Sequence, residues 1–187
     1  MTDEALRLHA FLPATRANGP GLRAAIWFQG CTLGCSGCFN PGTHEPRSGE
    51  GVPVPEVLRW VDTAPGIDGV TLTGGEPLQQ WRALSLLLDG LRHRPELSTI
   101  LLTGFSHEEI RRMGRLPVIE RSVDVLIAGR YVSAMHLGHG LRGSSNKTVH
   151  FISDRYSAQD LDDVPEVEIL IDSAGDVTAT GMEALGW

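Results

Sequence analysis

Near the start of the chain Leu6, Leu8, Ala10 and Leu12 alternate with more polar residues, the period-two pattern of a half-buried strand. Pro13 is expected to end that strand, and Asn18-Gly-Pro-Gly21 to turn the chain. Ala24-Ala-Ile-Trp-Phe28 is apolar without alternation, as in a strand covered on both faces. Residues 42–53, rich in Gly, Pro and charge, read as a surface loop. Pro55 then suits the first turn of a helix, whose Val54, Val57, Leu58 and Val61 form one apolar stripe. Val70-Thr-Leu-Thr73 reads as a strand running into Gly74-Gly-Glu-Pro77, and a helix is expected from about Gln79 to Arg92 with Trp81, Leu84, Leu88 and Leu91 on one side. A strand over Thr99–Thr103, a capping box at Ser106-His-Glu-Glu109 and a strand over Val123–Ile127 follow. Strands alternating with helices predict βαβ units, a mainly parallel sheet and right-handed crossovers.

The last part of the chain changes pattern. Thr148–Ile152, Glu166–Ile171 and Val177–Thr180 read as strands, the last two forming a hairpin across Ser173-Ala-Gly-Asp176 that extends or flanks the sheet. With 187 residues the chain is expected to form a single domain, 1–187, with a core over about 19–150 and a C-terminal β extension over about 148–187. That length is short for a full eight-stranded barrel. The expected fold class is therefore α/β, an open, partial (βα) barrel with a mainly parallel sheet.

Composition changes this picture little. Hydrophobic content of 41% and charged content of 21% are those of a soluble globular protein. A net charge of −7 argues against nucleic acid or an anionic membrane as partner, and Arg111, Arg112 and Arg115 read as a solvated helix end. Met1-Thr-Asp-Glu4 lacks the basic start and apolar region of a signal peptide, and no apolar run approaches the roughly 18 residues of a membrane span. The expected location is the cytoplasm.

The cysteines change it most. All three, Cys31, Cys35 and Cys38, fall within eight residues, spaced x3 then x2, directly after an apolar strand. In a reducing compartment such clustering points to metal binding rather than disulfides. Thiolates suit iron–sulfur clusters or zinc. Three on one loop can hold three irons of a [4Fe–4S] cluster and leave the fourth open. With His44 added, the same segment can be written as a structural zinc site of three cysteines and one histidine.

Gly74-Gly-Glu-Pro77 is the second candidate. Paired glycines after a strand allow close approach of a ligand and leave N–H groups to donate, and Glu76 carries a charge suited to an ammonium group. The same residues also describe a strand-to-helix turn with Glu at the helix start. Both segments sit at the C-terminal ends of predicted neighbouring strands, where ligands of parallel sheets gather. His136 and His139 read as surface or loop residues, Arg142–Asn146 as a polar loop, and Trp27, Trp60 and Trp81 as core or helix-face residues.

Cys-x3-Cys-x2-Cys followed by Gly-Gly-Glu-Pro resembles the radical S-adenosylmethionine (SAM) superfamily. The resemblance implies that Cys31, Cys35 and Cys38 bind a [4Fe–4S] cluster and that Gly74, Gly75 and Glu76 hold SAM, whose amino and carboxylate groups chelate the fourth iron. Gly19-Pro-Gly-Leu-Arg23, Cys35-Ser-Gly-Cys38-Phe39-Asn40, Leu101-Leu-Thr103-Gly-Phe105 and Leu141-Arg-Gly-Ser-Ser-Asn146 resemble segments of glycyl-radical-enzyme activases, the activators of anaerobic ribonucleotide reductase in particular. By that resemblance Phe39 lies near the adenine, and Thr103 and Arg130 join the SAM site, Arg130 through the SAM carboxylate. Such activases commonly carry Asp-Gly-Lys where this chain has Ala128-Gly-Arg130, and Ala128 cannot serve as an anionic ligand.

The implied reaction is reductive cleavage of SAM to a 5′-deoxyadenosyl radical, with flavodoxin or ferredoxin as electron donor and a glycyl radical enzyme as protein substrate. No protein side chain is assigned as acid, base or nucleophile. The alternatives are a radical SAM enzyme acting directly on a peptide or small molecule, and a zinc-binding module.

Overall fold

The computed structural model describes residues 4–182. Its main sheet has seven strands: β1 (Ala5–Thr15), β2 (Arg23–Phe28), β3 (Glu50–Pro53), β4 (Gly69–Gly74), β5 (Ser98–Thr103), β6 (Val125–Ala128) and β9 (Thr148–Phe151). Their order is β3-β1-β2-β4-β5-β6-β9. The four central strands β2, β4, β5 and β6 are parallel; β1, β3 and β9 add antiparallel edges. Between the parallel strands run α1 (Val54–Thr63), α2 (Trp81–Arg92), α3 (His107–Arg112) and α4 (Leu116–Glu120).

The apolar runs are continuous because both faces of the central strands are covered. Leu72, Leu101 and Leu126 belong to a core shared with Val57 and Val61 of α1 and Leu84 and Leu88 of α2. The alternate residues Ile100, Leu102, Val125 and Ile127 point the other way, against Leu141, Leu161, Val164 and Met182. The predicted stripe of α1 is buried at Val54, Val57 and Val61. Ser106 and Glu109 form the expected reciprocal cap of α3.

Four expectations need correction. β1 does not stop at Pro13. At that point it pairs only with β2, across a register shift between Leu12 and Thr15, so a missing N–H breaks no second ladder. Within the expected loop 42–53, residues Glu50–Pro53 form edge strand β3 against β1; its Gly and Pro disguise a short edge strand. A 3-10 turn over Pro77–Gln80 precedes α2, which begins at Trp81 rather than Gln79. His136 is on the surface and His139 partly exposed, as expected, but both lie in a strand rather than a loop: β7 (His136–His139), paired with β8 (Arg142–Ser144).

The expected hairpin exists as β10 (Val167–Ile171) and β11 (Val177–Gly181), following α5 (Ala158–Asp162). It flanks the main sheet as a separate two-stranded sheet. Thr15 Oγ1 and the Arg16 N–H both donate to Glu168 Oε2, at 2.6 and 2.8 Å, and tie it to the end of β1.

Among the described residues no helix is long and apolar enough to cross a membrane.

Candidate iron–sulfur and SAM site

Parallel register aligns the ends of the strands. Phe28 of β2 lies beside Gly74 of β4, and Thr103 of β5 beside Ala128 of β6. The cysteine loop leaves β2 at this edge, held by Gly30 N–H to Thr43 O (2.7 Å) and Cys31 N–H to His44 O (3.1 Å). Within it, Cys38 N–H donates to Cys35 O (3.2 Å), and Asn40 N–H approaches Cys38 Sγ at 3.4 Å.

The diglycine bend packs backbone on backbone. Gly74 has φ +102°, and a Cβ there would lie 2.5 Å from Phe28 N; one on Gly75 would lie 2.6 Å from Gly30 O. The N–H groups expected to be open to a ligand are instead used: Gly75 donates to Phe28 O (2.8 Å) and Glu76 to Gly30 O (3.0 Å). The glycines thus serve first to bring the bend against the cysteine loop. Gln79 strengthens the joint, accepting from Thr32 N–H (3.1 Å) and donating to Thr32 Oγ1 (2.8 Å).

Glu76 is fully buried. Its Oε1 accepts from Leu78 N–H (2.9 Å) and Thr103 Oγ1 (2.7 Å), and its Oε2 from Gly104 N–H (2.7 Å). Burial still drives its pKa above the ordinary glutamate value, against those three hydrogen bonds and the positive charge of Lys147. The carboxylate therefore clamps the ends of β4 and β5 together, with most of its accepting capacity spent inside the protein.

Cys31, Cys35 and Cys38 line one cavity of about 100 Å³ together with Phe39, Gly74, Gly75, Glu76 and Thr103. Eight of the nine sequence-predicted positions thus meet. The ninth, Arg130, does not line the cavity. Its guanidinium forms a two-point pair with Glu109 at 2.9 and 3.1 Å, donates to Gly104 O and lies over the Phe105 ring. Lys147 supplies a lysine in its place, and Tyr131 brings a second aromatic ring 6.2 Å from that of Phe39. Neither stood out in the sequence, although Lys147 directly follows the Leu141–Asn146 segment. Phe39, Asn40, Thr73 and Met182 also line a neighbouring cleft of about 530 Å³, which reaches β1 and the hairpin.

The donor set fits a cluster. Three thiols face one cavity, and the Asn40 N–H directed at Cys38 Sγ is the kind of contact that tunes cluster sulfurs. Burial pushes the Cys31 thiol up, opposed by the Leu33 N–H and reinforced by Glu76, Cys35 and Cys38; a metal group reverses that balance by binding thiolate. His44 also borders the cavity.

Residues 17–150 match the family described as 4Fe-4S single cluster domain. The chain belongs to that family. Among curated relatives in the same similarity range, the anaerobic ribonucleoside-triphosphate reductase-activating protein of Enterobacteria phage T4 is 34% identical over 140 residues, covering 72% of this chain and 87% of the relative. The protein of the same description from Escherichia coli K12 is 28% identical, covering 79% of this chain and 99% of the relative. The pyruvate formate-lyase-activating enzyme of Clostridium pasteurianum is 37% identical over 124 residues, covering 61% of this chain and 51% of the relative. With this family come a [4Fe–4S] cluster and SAM as cofactors, and the radical SAM resemblance read from the motifs stands.

Proposed function

We propose that this protein is a radical SAM activase that generates a glycyl radical on a partner enzyme, with anaerobic ribonucleotide reductase as the partner. The observation that carries the reading is one cavity at the C-terminal edge of the parallel strands, walled by the x3–x2 thiols on one side and the diglycine bend on the other. The names of the phage and bacterial relatives support the choice of partner.

In this reading Cys31, Cys35 and Cys38 bind the cluster and leave one iron for SAM. Gly74 and Gly75 shape the seat of the methionine part, and Phe39, backed by Tyr131, flanks the adenine. Glu76 acts mainly through Thr103 and Gly104, which it fixes in place. Leu33, Leu102 and Met182 give the cavity apolar walls that exclude water. When bound, the cluster and SAM supply one-electron cleavage of a sulfonium to a carbon radical that takes hydrogen from the target. A flavodoxin or ferredoxin provides the electron.

The sheet serves as an open, partial (βα) barrel within a single domain, 1–187, working in the cytoplasm. In this reading the 530 Å³ cleft beside β1 and the hairpin admits a polypeptide substrate. The test is anaerobic incubation of reconstituted protein with SAM, a reductant and anaerobic ribonucleotide reductase. A glycyl radical signal on the reductase is expected. SAM cleavage without any transferable radical overturns the activase assignment.

A further inference from the structure

Charge accounting inside the cavity leaves one group over. Among the described residues lining it, Lys147 is the only lysine or arginine. Among the described residues its ammonium has no hydrogen-bond or ion-pair partner, although the Glu76, Cys35 and Cys38 side chains are near enough to act on its charge. Lys147 is partly buried, and its ammonium stays accessible from the cavity, so a ligand there can reach it.

Topology supplies the position. β9 runs antiparallel to β6, pairing Thr148 with Ala128. The residue just before β9 is therefore delivered to the C-terminal edge of the parallel strands, beside the cysteine loop and the diglycine bend. Gly129, at φ +124°, lies beside the stem: a Cβ there would make ordinary contact with Lys147, 3.5 Å from Cα and 3.7 Å from Cγ. Gly129 N–H is anchored to Phe105 O (2.9 Å), and Asn146 Nδ2 donates to Arg130 O (2.9 Å), which fixes the two segments against each other. Arg130, two residues after Ala128, is meanwhile committed to Glu109 and Phe105.

We propose that Lys147 is the residue that recognises the carboxylate of the bound amino-acid sulfonium, a task for which Arg130 is not placed. The proposal rests on the SAM reading above and goes one step further, to the residue that selects for an amino acid over a bare amine. An ammonium is a compact point charge suited to a single carboxylate oxygen. With Glu76 and the cluster-bound cysteines lining the rest of the cavity, Lys147 is the lysine or arginine placed there to meet a ligand carboxylate.

The experiment compares two ligands on cluster-loaded protein by equilibrium binding under anaerobic conditions: SAM and decarboxylated SAM, which keeps the sulfonium and amine and lacks the carboxylate. Lys147→Met is expected to weaken SAM by about tenfold or more, near 1.4 kcal/mol, and to change binding of decarboxylated SAM by less than about twofold. Lys147→Arg is expected to restore most of the discrimination. Iron content and the visible spectrum confirm that each variant keeps its cluster; should Lys147→Met lose it, Lys147→Gln gives the same comparison with a polar side chain. Equal losses for both ligands, or no loss for SAM, overturn the assignment. So does a carboxylate-dependent loss in Arg130→Gln with Lys147→Met unaffected. Failure of the unaltered protein to bind either ligand would instead overturn the SAM reading itself.

Discussion

The two ends of the parallel strands each carry a cation, buried at one end and partly buried at the other, and they treat it in opposite ways. At the N-terminal end Arg23 is fully buried and saturated. It donates to Thr71 Oγ1 (2.8 Å), Ser98 Oγ (2.8 Å), Ser98 O (3.1 Å), Val70 O (2.9 Å), Tyr156 OH (3.2 Å) and Pro20 O (3.3 Å). At the C-terminal end Lys147 has no such partner among the described residues, and three thiols share its cavity. One end is a closed polar network that holds β2, β4 and β5 in register. The other keeps its binding capacity for something not made of protein. Polar satisfaction, more than burial, separates the structural end from the chemical one.

The sharpest way to break this contrast is at Arg23. Arg23→Ala strands the partners of six hydrogen bonds and opens a void, so a loss of about 3 kcal/mol or more is expected in denaturant unfolding. A loss under about 1 kcal/mol would show the network to be dispensable.

Glu76→Gln comes next, at about 1–3 kcal/mol, because an amide cannot accept from all three donors. It also carries a pH signature. The folded-state pKa of Glu76 is raised, so between the ordinary glutamate value and that raised value the folded protein binds more protons than the unfolded chain. Stability therefore falls as pH rises through this window and levels off above it. Unfolding of the metal-free protein at a series of pH values should show that slope, and Glu76→Gln should remove it.

Cys35→Ser is expected to shift the stability of the metal-free protein by less than about 1 kcal/mol, since Cys35 is only half-buried, yet to abolish retention of a full cluster in an iron assay. Smallest of all is Ile171→Thr. Its side chain is 69% exposed on the flanking hairpin, and a change within about 0.5 kcal/mol is expected.

The contrast also shows what the sequence made legible. The apolar run Ala24–Phe28 and the strands at Val70, Thr99 and Val123 could be found because burial on both faces leaves no polar alternation to confuse them. β3 and the far half of β1 were hidden, because edge strands tolerate Gly and Pro that read as loop. In the site, Cys31, Cys35, Cys38, Gly74 and Gly75 announce themselves by local spacing. Lys147 could not, since only the antiparallel return of β9 brings it across to the thiols. Arg130 was expected at the SAM carboxylate because it stands where the activases carry a lysine, and nothing in that resemblance reveals the competing carboxylate of Glu109. The Gly19–Arg23 segment, noted for its resemblance to activases, lies at the opposite end of the sheet from the cysteines and works there as a fold anchor, with a Cβ on Gly19 placed 2.5 Å from Arg23 Cδ.

The central claim is that three cysteines hold a four-iron cluster whose remaining iron is open to SAM. Electron paramagnetic resonance of the reduced, reconstituted protein, recorded with and without SAM, tests it most directly. The account predicts about four irons per chain and a cluster signal whose shape and g values change when SAM is added. An unaltered signal, or a colourless protein carrying one zinc per chain, would contradict it.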